Sequence, residues 1–171
     1  PGDDGIHELR DAQQQREIAK DFMRQLAHVH GLSVDGLDLP ELSQPDSAEE
    51  YALAGIDALE RSYGSSVTAP DPLALLTFQW LRRNIPAPPT RPALLQGDTG
   101  PGNFIFVEDR VSAILDWEQA HIGDPMEDLG HLYSRAFFHP WGDMPELIEV
   151  YTGGANKSLD KAKLHFYRVA S

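Results

Sequence analysis

The sequence predicts an α+β fold, mostly helical with one small β-hairpin, and three observations carry that expectation. Apolar residues recur at helical spacing early in the chain, as Ile18, Ala19, Phe22, Met23, Leu26 and Ala27. Two short runs rich in β-branched and aromatic residues, Phe104–Val107 and Val111–Leu115, stand close enough to pair through Glu108, Asp109 and Arg110. Asp-Pro pairs at Asp71-Pro72 and Asp124-Pro125 open further apolar-periodic stretches, with Asp as the cap and Pro in the first turn.

Taken in order, the first helix leads to Gly31, a C-terminal stop. Ser47 with Glu50 forms a capping box ahead of Tyr51, Leu53, Ala54, Ile56 and Leu59, and Gly64 closes that second helix. The third starts at Asp71-Pro72 and carries Leu73, Leu76, Phe78, Trp80 and Leu81. Ile85 to Pro92 holds four prolines and reads as an extended linker. After the hairpin, Asp124-Pro125 starts a helix through Leu132 or beyond, and the stretch from Phe137 to Trp141 reads as a loop. Two helices follow, around Glu146 to Tyr151 and Leu159 to Val169. No internal repeat, low-complexity tract or second domain is visible.

The chemistry concentrates in Leu94-Leu95-Gln96-Gly97-Asp98-Thr99-Gly100-Pro101-Gly102-Asn103-Phe104 and in Ala113-Ile114-Leu115-Asp116-Trp117-Glu118. Asp98 lies in a glycine-rich loop after a short apolar run. Asn103 follows five residues later, and Asp116 ends the next β-like run. Two strands joined by a tight turn would bring the three together. Such an oxygen-rich set suits Mg²⁺, a hard cation usually held by one or two protein groups together with substrate phosphates.

At these residues the chain resembles the aminoglycoside phosphotransferase-like kinases, relatives of the protein kinases. The family pattern is a Gly-Asp, an Asn five residues on, then an apolar strand ending in Asp-Trp-Glu and a Gly-Asp-Pro. Gly97, Asp98, Asn103, Asp116, Trp117, Glu118, Gly123, Asp124 and Pro125 meet it, and Asp128-Leu129 continues it. The match is densest from Leu94 to about Leu132. The wording from Ala113 to Pro125 is especially similar to kinase-like domains fused to acyl-CoA dehydrogenases and to their stand-alone bacterial relatives.

The resemblance implies the mostly helical C-terminal lobe of a kinase-like fold, with the hairpin carrying the metal ligands. It implies Asp98 as the catalytic base and Asn103 and Asp116 as ligands of Mg²⁺ on ATP or GTP. The reaction implied moves a γ-phosphate to the hydroxyl of a small molecule, aminoglycoside-like or a metabolite. Gln96 departs from the pattern, which commonly has His there as a hydrogen-bonding brace. A Gln amide, with donor and acceptor, could take over that work.

A kinase also needs a glycine-rich turn over the phosphates and a strand lysine. Neither precedes Asp98: no G-x-G-x-x-G occurs, and the one upstream lysine, Lys20, falls in a helical pattern. The chain also opens without Met and ends at Val169-Ala170-Ser171 within a helical pattern. Residues 1–171 are therefore expected to be a C-terminal lobe whose nucleotide-covering lobe and final helices lie elsewhere, inactive by itself. The alternative is a catalytically silent relative that binds nucleotide or a partner. A metal-dependent phosphoester hydrolase fits less well, because no second carboxylate or His cluster is present to hold two metals.

The 171 residues suffice for one core, and 41% hydrophobic with 24% charged residues is ordinary for a globular domain. The 27 acidic and 14 basic residues give a formal charge of −13, a field that repels nucleic acid and anionic lipid. The same acidity would suit a cationic substrate, but a solvated acidic surface explains it as well. With no cysteine, disulfides and thiolate metal sites are excluded, and the cytoplasm is the expected compartment.

Other polar residues have structural readings. Asp124 is first a helix cap, and Asp128 is expected to pair with backbone or a neighbouring helix. Glu118 has two readings of equal standing, one touching the metal through water or facing the substrate, the other a surface position after a strand, and it is left out of the catalytic set. His28 and His30 point to different sides of one helix, and His121, His131 and His139 have no ligand spacing, so no structural zinc is expected. Trp80, Trp117 and Trp141 are read as packing residues.

Overall fold

The computed structural model describes residues 11–34, 42, 50–89, 91–153 and 159–171. In chain order the elements are α1 (Ala12–Gly31), α2 (Glu50–Ser66), α3 (Pro72–Arg83), β1 (Ala93–Leu95), β2 (Phe104–Val107), β3 (Arg110–Ile114), β4 (His121–Gly123), α4 (Pro125–Phe138), α5 (Met144–Thr152) and α6 (Lys161–Ala170), with a single 3₁₀ turn at Trp117–Gln119. This is the α+β arrangement expected.

Aspartates start most of the helices, because a short carboxylate accepts the first free N–H groups and opposes the positive helix end. Asp11 accepts from Gln13 N at 2.8 Å, Asp71 from Leu73 N at 2.7 Å, and Asp124 from Met126 N at 3.0 Å. Asp143 and Asp160 do the same for α5 and α6. Ser47 of the expected capping box lies outside the described residues.

Two boundaries differ from expectation. Helix α2 runs through Gly64 to Ser66, where the Ser65 and Ser66 hydroxyls both donate back to the Ser62 carbonyl at 2.8 Å. These bonds satisfy a last-turn carbonyl that a glycine stop would have left to other donors. Helix α4 continues through Phe137 to Phe138, although both rings stand in solvent, 81% and 74% exposed. No helix-breaking residue interrupts it before His139 and Pro140.

The hairpin of β2 and β3 is antiparallel, pairing Phe104 with Ile114 and Ile105 with Ala113. Between Ile105 and Phe106 the register shifts, so Ser112 is an extra residue on β3. Its turn is tighter than expected: Arg110 already belongs to β3, and Glu108 takes the left-handed conformation at φ 56°. A second small ladder pairs β1 with β4, setting Leu94 opposite Ile122. Three residues a side are too few to display an alternating pattern, which is why β4 escaped sequence reading.

Two apolar clusters hold these elements. One joins α1, α4 and α5 to the hairpin through Phe22, Met23, Leu26, Phe104, Leu129, Leu132, Trp141 and Leu147. Phe22 stands 4.9 Å from Phe104 and edge-on to Trp141 at 5.4 Å, ring to ring. Truncating Phe22 to Ala should cost about 3–5 kcal/mol. The other cluster packs α2, α3 and α6 through Ile56, Phe78, Leu81, Phe166 and Tyr167. Met126 touches both. Trp141 is thus a core residue, whereas Trp80 and Trp117 are each 37% exposed and pack with part of the ring only.

Candidate active site

The loop between β1 and β2 is shaped from below by Asp128, in the first turns of α4. Its Oδ2 accepts from Gln96 N at 2.9 Å, its Oδ1 from Gly97 N at 2.9 Å, and its backbone carbonyl from the Thr99 hydroxyl at 2.6 Å. Asp128 is wholly buried, and backbone donors of this kind are what a buried carboxylate requires. Gly97 has φ 85°, and a Cβ there would lie 2.4 Å from the Gln119 carbonyl oxygen, so both conformation and space demand glycine.

Gln96 braces the site as the residue type allows. Its Nε2 donates to the carbonyls of Leu115 (3.0 Å) and Asp116 (2.7 Å), and its Oε1 accepts from Asp98 N at 2.9 Å. One fully buried amide therefore ties the backbones of Asp98 and Asp116 together. Leu115 N donates to the Asn103 carbonyl at 2.7 Å, which places Asn103 beside the end of β3. The backbones of positions 98, 103 and 116 thus converge.

Side chains converge around Asp98 as well. Asn103 Nδ2 donates to the Asp98 carbonyl at 2.7 Å and to its Oδ2 at 2.8 Å. Oδ1 faces two side chains of α4: His131 Nε2 at 3.4 Å and the Arg135 guanidinium, Nη2 at 3.3 Å. Arg135 Nη1 also donates to the Asp98 carbonyl at 3.4 Å. His131 was set aside in the sequence for lacking ligand spacing, and Arg135 was missed. The available signal was their i, i+4 spacing on the helix that Asp124-Pro125 begins, which puts both on one face.

Asp116 follows β3 in a left-handed conformation, φ 60° and ψ 60°, with its residue exposed. A non-glycine residue held there is uncommon and marks a constrained turn. Among the described residues no group of three or more His, Cys, Asp or Glu could enclose a metal ion. The donor set nevertheless fits a magnesium-nucleotide site, which needs only one or two protein oxygens. Because Asn103 spends its Nδ2 on Asp98, its Oδ1 remains for a cation, and the Asp116 residue is exposed.

The remaining polar groups are structural partners. Asp124 caps α4 and takes Lys163 Nζ at 2.7 Å. Lys20 is bound to Glu146 at 2.9 Å and Glu17 at 3.3 Å, which raises its pKa and lowers that of Glu146. Beside the loop, His121 Nε2 lies 3.3 Å from Glu127. Partial burial opposes charge on this ring, but the Glu127 carboxylate, the Gln119 carbonyl and Asp128 outweigh it and raise its pKa to about 9. Gly97, His121, Glu127 and His131 line one end of a cleft of about 530 Å³ whose far wall is the Ala-rich face of α2.

A helical lobe carrying a short hairpin and an Asp-Asn loop of this construction defines a kinase-like phosphotransferase lobe. The sequence profile of the phosphotransferase enzyme family (APH) matches residues 1–167, and the chain belongs to that family. It is 32% identical over 117 residues to acyl-CoA dehydrogenase family member 11 of Rattus norvegicus, covering 67% of this chain and 14% of the relative. The crystal structure of aminoglycoside-3'-phosphotransferase of type VIII superposes with a TM-score of 0.69 at 20% identity, over 92% of this chain and 61% of the other. Aminoglycoside 2'-phosphotransferase-IIIa, in its GDP complex, superposes with a TM-score of 0.63 at 18% identity, over 97% of this chain and 55% of the other. The chain therefore spans a small part of the curated relative and rather more than half of each solved structure.

Proposed function

We propose that the protein transfers the γ-phosphate of ATP or GTP to a hydroxyl of a small molecule, with Asp98 as the base. The observation that carries this reading is the pairing of Asp98 with Asn103, braced by Gln96 against Asp116. As the acceptor oxygen bonds to the γ-phosphorus, the bond to the bridging oxygen of the nucleoside diphosphate breaks, and the acceptor proton passes to the Asp98 carboxylate. Asn103 and Arg135 hold that carboxylate in one orientation, so the base needs no search at the moment of reaction. Asn103 Oδ1 and the Asp116 carboxylate would hold Mg²⁺, which neutralises charge on the β- and γ-phosphates when bound.

The nucleotide belongs to this reading because the family is one of phosphotransferases and a neighbour of the same fold was solved with GDP. Residues 1–171 contain neither a glycine-rich phosphate turn nor a free strand lysine upstream of Asp98, Lys20 being bound to Glu146. Turnover is accordingly proposed for the intact protein, and these residues alone are expected to show none. The acceptor is a metabolite or aminoglycoside-like hydroxyl compound.

The test is ³¹P NMR of the intact protein with MgATP or MgGTP and a panel of hydroxy acids, amino alcohols and aminoglycosides. A new phosphomonoester signal that depends on Asp98 is the expected result. Nucleotide binding without transfer to any acceptor would favour the silent, binding-only alternative.

A further inference from the structure

Beneath the loop runs a second set of hydrogen bonds that the transfer reaction as drawn does not use. His30, near the end of α1, sits with Nε2 3.0 Å from Asp128 Oδ2 and Nδ1 2.8 Å from the Tyr151 hydroxyl of α5. The His30 side chain is 3% exposed and Asp128 is sealed, so water does not substitute for either partner. Three helices distant in sequence thus converge on the carboxylate that receives the Gln96 and Gly97 amides.

The chemistry of the groups fixes the direction of these bonds. An ionised carboxylate only accepts, so His30 donates from Nε2–H. In the neutral ring Nδ1 is then a bare acceptor, and the Tyr151 O–H fills it. Tyr151 keeps its proton for this bond: burial, then the charges of Asp128 and Asp124, hold its pKa above the ordinary value. Without that hydroxyl the buried Nδ1 acceptor is left unfilled, and the ring is held in orientation by Asp128 alone. Asp128 can hold both loop amides only while its plane stays fixed. Those amides immediately precede Asp98, where a shift of about 1 Å can cost about a hundredfold in rate.

We propose that Tyr151 and His30 are positioning residues of the phosphoryl transfer, locking the Asp128 carboxylate beneath the Gln96 and Gly97 amides and so placing Asp98. The inference rests on Asp98 being the base. A role confined to fold stability would loosen the whole core together, whereas positioning loosens the loop selectively.

The decisive variant is Tyr151→Phe in the intact protein, which keeps the ring and removes only the hydroxyl, with His30→Gln beside it. Amide exchange at Gln96 and Gly97 and phosphoryl transfer from MgATP to water are measured. In Tyr151→Phe these two amides should exchange about tenfold faster while amides of the α1 and α4 cores keep their rates. The rate constant kcat should fall about tenfold with KM for MgATP unchanged. His30→Gln should show the same pattern more strongly, and should it fail to fold, Tyr151→Phe decides. Unchanged exchange at Gln96 and Gly97, or faster exchange shared equally by the helix cores, overturns the proposal. Wild-type protein that passes phosphate from MgATP neither to water nor to any compound of the acceptor panel defeats the transfer reading instead, and the exchange pattern keeps the two failures apart.

Discussion

Gln96 Nε2 donates to the Asp116 carbonyl at 2.7 Å while the same side chain receives the Asp98 N–H at 2.9 Å. One neutral amide thereby joins the residue that would take the proton to the turn that would hold the metal. Gln96→Ala strands two carbonyls and one N–H in a partly buried site, where an unsatisfied group costs up to about 1–3 kcal/mol. Urea unfolding should register a loss in that range. Gln96→His, with one ring donor and one ring acceptor, should recover more than half of it. Equal losses in the two variants would show that the amide's bonds are not what the site requires.

Asp98→Asn is the sharpest test of the chemistry. The amide can keep a contact with Asn103 but cannot take a proton, and a positioned base contributes about 10²–10⁴ in rate. Transfer by the intact protein should fall by that factor while nucleotide affinity, measured by calorimetry, stays within about threefold. Near-normal turnover would remove Asp98 from the role.

What the sequence disclosed and what it withheld divide along physical lines. The helices were legible because Asp caps and apolar spacing are local signals, as at Asp71-Pro72 and in the Ile18 to Ala27 stripe. Asp98, Asn103 and Asp116 stood out because their spacing reflects one hairpin. Asp128 was read correctly as a partner of backbone, and Gln96 as a brace. The pairing of β1 with β4 could not be read, since three-residue strands have no period. Arg135 reaches Asp98 across 37 positions, and His30 reaches Asp128 across 98; such contacts arise only from how helices pack.

At Gly130, α4 packs tightly against the backbone of α6. A Cβ there would fall 2.8 Å from the Tyr167 carbonyl carbon and 2.9 Å from Arg168 N, both backbone atoms that cannot swing aside. Gly130→Ala should destabilise the chain by about 1–3 kcal/mol through this overpacking. Gly55→Ala is the control, because nothing lies within 4 Å of a Cβ at that helical position. Relief of glycine's backbone entropy should make that variant more stable by about 0.5–1 kcal/mol. Thermal unfolding of the two variants should therefore move in opposite directions, and movement in the same direction would contradict this packing.

The pH dependence of stability has a predictable sign at His121. Its pKa rises to about 9 in the folded chain against an ordinary value near 6.5, chiefly because the Glu127 carboxylate outweighs the cost of burial. A group bound more tightly to its proton when folded stabilises the fold fully below its unfolded pKa and loses that contribution as pH rises through the folded one. The contribution should be constant below about pH 6.5 and fade between about 6.5 and 9. The ring is partly open to solvent, so screening reduces its worth to about 1 kcal/mol. Glu127→Gln removes the charge that sustains the imidazolium, and the difference in urea midpoint between wild type and variant should shrink from pH 6 to pH 9.5. Imidazole NMR supplies the direct check: His121 should titrate about two units higher in wild type than in Glu127→Gln. A wild-type ring titrating near its ordinary pKa would refute both the pair and the pH profile built on it.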